Sequence, residues 1–78
     1  MSTYHELTSQ MQSILRKNGE ARLARRITRA LASSNNENEI IDRVSLTLQR
    51  IKQENSASFR LIQKEASAFF RYYNNLWV

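Results

Sequence analysis

Between Arg16 and Arg29 the chain carries six basic residues, Arg16, Lys17, Arg22, Arg25, Arg26 and Arg29, against a single acid, Glu20. The same preference runs through the whole molecule, where nine of the twelve basic residues are arginine and three are lysine. A guanidinium is a planar fork that grips phosphate or carboxylate oxygens two at a time, whereas lysine offers a hydrated point charge. The bias therefore points outward, to an anionic partner. On a helix, Arg22, Arg25 or Arg26, and Arg29 fall along one side, roughly opposite Leu23, Ile27 and Leu31. Like charges at such spacings repel by roughly 0.2–0.5 kcal/mol per pair, so a helix without a partner gains little from stacking them there.

Two partners meet that requirement. Nucleic acid offers phosphates whose neutralisation releases counterions and makes binding strongly salt-dependent, and an acidic protein surface offers comparable charge. The competing structural reading is a solvated face whose arginines pair with Glu37, Glu39 or Glu54 of neighbouring helices, at almost no net energy.

A second group lies at the carboxyl end, in Phe69-Phe70-Arg71-Tyr72-Tyr73-Asn74-Asn75-Leu76-Trp77. Phe69, Tyr73 and either Leu76 or Trp77 share one helical stripe, which leaves Phe70, Tyr72 and Trp77 for contact with a partner. They suit stacking on bases or anchoring a protein interface. Alternatively they close the open end of a small bundle near Tyr4 and Met11.

Catalytic chemistry is poorly provided for. There is one histidine, His5, one aspartate, Asp42, six scattered glutamates and no cysteine. His5 sits in a helix-starting turn with no acid or thiol companion beside it for a triad or metal set. Gly19 is the sole glycine, so no phosphate-cradling glycine loop exists. The expectation is a non-enzymatic protein without metal or cofactor.

These groups need helices to hold them. With no proline and one glycine, the tight turns of hairpins are missing and helices must dominate. The chain has no repeat and no composition break, so residues 1–78 read as a single helical domain with one core. The first helix opens on Thr3-Tyr4-His5-Glu6, which has the form of a capping box. It continues through Tyr4, Leu7, Met11, Ile14 and Leu15, and stops at Asn18-Gly19 after two cations, Arg16 and Lys17.

The second helix runs from about Glu20 to Ala32 and turns Leu23, Ala24, Ile27, Ala30 and Leu31 inward. Ser33-Ser34-Asn35-Asn36 is a loop, with Asn36 as the next amino-terminal cap. Ile40, Ile41, Val44, Leu48 and Ile51 mark a third helix; Phe59, Ile62, Ala66, Phe69 and Tyr73 mark a fourth. Between them, either Ser56 or Ser58 caps a new helix, or one helix of about 60 Å runs through at 1.5 Å per residue. A rod that long cannot bury its stripe against two short helices and would require a homodimer. The expected fold is therefore all-α, a small antiparallel bundle of three to four helices with a break in the 37–77 stretch.

The lack of cysteine fits a reducing compartment. The first thirty residues lack the apolar run of a secretion signal, and no stretch approaches the ~20 apolar residues of a membrane span. The apolar side of the second helix is rich in alanine, a poor face for lipid. A soluble cytoplasmic protein without membrane contact is expected.

The functional expectation is a small regulatory binding protein. It contacts nucleic acid or nucleic-acid-processing machinery through the arginine-rich helix, residues 16–29. The alternative is an adaptor or inhibitor, of the compact kind common on phages and plasmids, docking on an acidic surface of a larger complex with its arginine face and carboxyl-terminal aromatics. The helix after the Ser-Ser-Asn-Asn loop begins acidic, with Glu37 and Glu39, so sequence-specific reading of DNA is not expected.

Overall fold

Each segment that repeats its apolar residues at helical spacing is a helix in the computed structural model, which describes the backbone of residues 3–77 and the side chains of residues 4–72. The helices are α1 (Thr3–Lys17), α2 (Ala21–Leu31), α3 (Glu37–Glu54), α4 (Ser56–Leu61) and α5 (Gln63–Trp77). No strand occurs among the described residues.

Along α1, Tyr4, Met11 and Leu15 are buried, and Leu7 and Ile14 pack at the edge of the core. Thr8 shares that face although it is polar. Its hydroxyl donates to the Tyr4 carbonyl at 2.7 Å, which removes the cost of burying an unpaired group. The expected cap by Thr3 lies outside the described side chains.

The stop at Asn18-Gly19 is a Schellman turn. Gly19 has φ +76°, the Glu20 N–H donates to the Leu15 carbonyl at 2.7 Å, and the Gly19 N–H donates to the Arg16 carbonyl at 3.2 Å. This turn lays α2 along α1, where the Gln12 amide donates to the Thr28 hydroxyl at 2.6 Å. Leu23, Ala24, Ile27 and Ala30 of α2 are buried, with Leu31 partly so.

Asn36 caps α3 as expected, its side-chain oxygen accepting from the Asn38 and Glu39 N–H groups at 2.9 and 3.3 Å. Glu39 does not reach back to the Asn36 N–H directly. Ser34 stands between them, its hydroxyl donating to Glu39 Oε2 at 2.6 Å and accepting from the Asn36 N–H at 3.0 Å. The buried face of α3 comprises Ile40, Ile41, Val44, Leu48 and Ile51.

The break expected in the 37–77 stretch is present, with a new helix beginning at Ser56, and a second break joins it. The stretch is neither one helix nor two but three, broken at Asn55 and again at Ile62. Among the described residues the fold therefore has five helical segments rather than three or four. Ser56 and Ser58 do not cap: Asn55 is the boundary residue, with φ −140° and ψ 66°, and no side-chain cap bond forms there. Main-chain bonds carry the chain across instead. The Asn55 N–H donates to the Ile51 carbonyl at 2.8 Å, and the Asn55 carbonyl accepts from the Phe59 N–H at 2.8 Å.

Burial supplies the reason for the bends. Phe59, Ile62, Ala66 and Phe69 all enter the same core as the residues of α1 to α3, which one straight rod could not achieve. The molecule measures 32 × 23 × 23 Å, far short of the 60 Å rod, so the condition that demanded a homodimer does not arise. Among the described residues no helix is long and apolar enough to cross a membrane.

Candidate anion-binding surface

The core stripe of α2 fixes where its arginines go. With Leu23, Ala24, Ile27 and Ala30 turned inward, Arg22, Arg25, Arg26 and Arg29 emerge together and line one shallow depression of about 220 Å³. Arg22, Arg25 and Arg29 are exposed and Arg26 is half-buried. A second depression, of about 150 Å³, continues from it onto α3 and is lined by Arg26, Arg29, Thr47 and Arg50. Arg26 and Arg29 belong to both, so the two form one surface carrying five guanidinium groups from two helices.

Arg50 and Thr47 were not among the residues singled out from the sequence. Their signal is present only in hindsight: three residues apart on α3, they flank the Val44, Leu48 and Ile51 stripe on one side. Which side faces α2 is decided by packing, and α2 touches both α1 and α3. Thr47 does not offer its hydroxyl proton to a ligand, since it donates to the Arg43 carbonyl at 2.8 Å.

The expectation that the arginines of α2 stand clear of the protein's own carboxylates holds for Arg22, Arg25 and Arg29 and fails for Arg26. Arg26 Nη2 donates to Glu54 Oε1 at 3.2 Å, with the two side chains 40% and 51% exposed. Arg22, Arg25, Arg29 and Arg50 have no hydrogen bond or ion pair among the described residues. Of the other proposed carboxylate partners, Glu39 is engaged with Ser34 and Glu37 has no arginine partner.

Arg16 and Lys17 line neither depression. Both occupy the exposed last turn of α1, where a cation complements the negative helix end, and that placement accounts for them without a ligand.

The aromatic group divides. Phe70 is half-buried against the core, held edge-to-face by Phe69 with ring centroids 6.1 Å apart. Tyr72 is 46% exposed. The side chains of Tyr73 and Trp77 lie outside the described residues. Phe70 lines a further depression, of about 210 Å³, with Lys52, Ser56, Phe59, Arg60, Gln63 and Ser67. It opens on the opposite flank of α3 from Arg50, because residues 50 and 52 of a helix are about 200° apart around its axis.

Among the described residues no group of three or more histidine, cysteine, aspartate or glutamate side chains is placed to hold a metal. His5 is exposed and stacks on Tyr4 at 4.2 Å between ring centroids. No family model, curated protein or solved structure matches this chain.

Proposed function

We propose that the protein is a non-enzymatic binding module that takes the phosphate backbone of nucleic acid on the arginine surface of α2 and α3. One observation carries the reading: five arginines and one glutamate put four of the chain's five net positive charges on this single surface. The remainder of the molecule is close to neutral, so the field is directional rather than a general solubilising charge. Arg22 and Arg29 are seven residues apart, about 10 Å along the helix, a length over which a duplex presents about six charges. Backbone contact of this kind positions a protein without reading sequence. It suits a regulator acting in a cytoplasmic setting on nucleic acid or on complexes that carry it.

The test is binding of a fluorescently labelled oligonucleotide, followed by anisotropy, to the wild type and to a variant carrying Arg25→Glu and Arg29→Glu. Binding by the wild type and its loss in the variant, with far-ultraviolet circular dichroism unchanged, is the expected result. Equal binding by both proteins would remove the proposed surface.

A second reading is favoured by the exposure of Tyr72 and by Phe70 beside two further cations, Lys52 and Arg60. In it the protein is an adaptor or inhibitor on an acidic protein surface. Pull-down from lysate separates the two: nuclease releases the bound material in the first reading, whereas in the second a stoichiometric protein survives nuclease and Tyr72→Ala weakens its capture.

A further inference from the structure

The depression beside Phe70 is built from three helices, and its chemistry differs from that of the arginine surface. Gln63, Ser67 and Phe70 lie at spacings of four and three on one face of α5; Ser56, Phe59 and Arg60 come from α4 and Lys52 from α3. Two phenyl rings therefore share a small concavity with two cations, and no carboxylate lines it. Lys52, Ser56, Arg60, Gln63 and Ser67 are exposed and make no side-chain hydrogen bond or ion pair among the described residues.

Such a set suits a ligand that is flat and apolar at one end and anionic at the other. Lys52 and Arg60 satisfy the anion, the hydroxyls and amide meet polar ring edges, and Phe70 offers the ring surface. Phe70 packs edge-to-face on the fully buried Phe69, which anchors it to the core at the wall of the depression.

We infer that this depression is a subsite for one unpaired nucleotide, with the base against Phe70 and the phosphate on Lys52 and Arg60. The inference rests on the nucleic-acid reading above and narrows it to single strands. In a duplex both faces of every base are stacked, and only an unstacked base can reach an aromatic side chain set in a concavity. At about 210 Å³ the depression has room for a single base rather than a run of them. An acidic peptide with an apolar side chain is the competing occupant, and it differs in having no requirement for a base.

The experiment has two arms, both on the full chain. In the first, adenosine monophosphate and ribose 5-phosphate are titrated against the isotope-labelled protein, and resonances of Phe70, Gln63 and Ser67 are followed. The base-bearing compound should shift them and the sugar phosphate should not. Equal shifts from both, or shifts confined to the arginines of α2, would overturn the subsite.

In the second arm, Kd is measured for a single-stranded 12-mer and for the matching duplex. The variants are Phe70→Leu, which keeps apolar packing and loses the stacking face, and Lys52→Glu with Arg60→Glu, which leaves the core alone. Phe70→Leu should weaken single-strand binding about ten-fold, the lower range for one base–aromatic stack, and leave duplex binding within about two-fold, whereas the charge reversal should weaken both forms and the single strand more. If the wild type binds both forms and neither variant discriminates between them, the subsite is wrong and the arginine surface stands. If the wild type binds neither form, the nucleic-acid reading itself fails.

Discussion

At the residue scale, Arg26 is the point where the chain competes with its own ligand. It lines both arginine depressions, yet one of its nitrogens is already held by Glu54. The contact is a single bond between two half-exposed side chains, not a bidentate fork, and such pairs contribute at most about 1 kcal/mol. A phosphate chain bound on Arg22, Arg25, Arg29 and Arg50 would displace the carboxylate and then be repelled by it. Glu54→Gln should therefore tighten oligonucleotide binding by up to about five-fold at low salt. Glu65→Gln on α5 changes the net charge equally and serves as the control, so an identical gain in both variants would show general electrostatics rather than release of Arg26. Gly19 is a separate case. At φ +76° with open space around the position of an added Cβ, Gly19→Ala meets no steric neighbour, and its cost is conformational alone. A loss of about 1 kcal/mol in urea unfolding is expected, with the oligonucleotide Kd unchanged.

At the scale of elements, the apolar periodicity was readable because each stripe answers to one local rule. Tyr4, Met11 and Leu15, then Leu23 and Ile27, then Val44, Leu48 and Ile51 recur at three and four, and each set is buried. Asn36 and Gly19 were readable for the same reason, since a cap and a left-handed stop are properties of a few adjacent residues. The break between Ile51 and Phe59 was readable as well, but not its form, since no side-chain cap makes it at Asn55, and the second break at Ile62 was not readable at all. The chain bends at these places so that Phe59 and Ile62 can enter a core defined by α1 to α3, and a preference imposed from a distance leaves no local signature. The two asparagines allow a direct check. Asn36→Ala removes an acceptor used by two N–H groups and should cost about 1 kcal/mol in chemical denaturation. Asn55→Ala removes no cap bond, and stability should stay within about 0.5 kcal/mol of wild type. A large loss at Asn55 would mean that its side chain, and not tertiary packing, sets the bend. The candidate site divides in the same way: the arginines of α2 were visible as a run, whereas Arg50, Lys52 and Arg60 joined their neighbours only through the packing of separate helices.

At the scale of the whole molecule, the charge is lopsided while the apolar surface is largely consumed. Among the described residues sixteen apolar side chains are buried in one cluster, and the large exposed ones are Leu46, Leu61 and Tyr72, on α3, α4 and α5. Among the described residues no extended apolar face is left, and the charged surface of α2 and α3 is the feature whose response to conditions can be worked out. That surface fixes how binding must respond to salt. Four arginines on the surface, Arg22, Arg25, Arg29 and Arg50, are without an intramolecular partner among the described residues. If each neutralises one phosphate, the slope of log K against log salt is about −3.6 on duplex DNA and about −2.8 on a single strand. Between 50 and 200 mM salt, affinity should then fall roughly 50- to 150-fold. Arg25→Gln with Arg29→Gln, which removes two charges without reversing them, should flatten the slope by about two, whereas Gly19→Ala, which touches stability and not charge, should leave it in place. A slope near zero for the wild type would mean that the arginines do not meet phosphates. A steep slope that the double variant leaves unchanged would place the contact on some other set of cations.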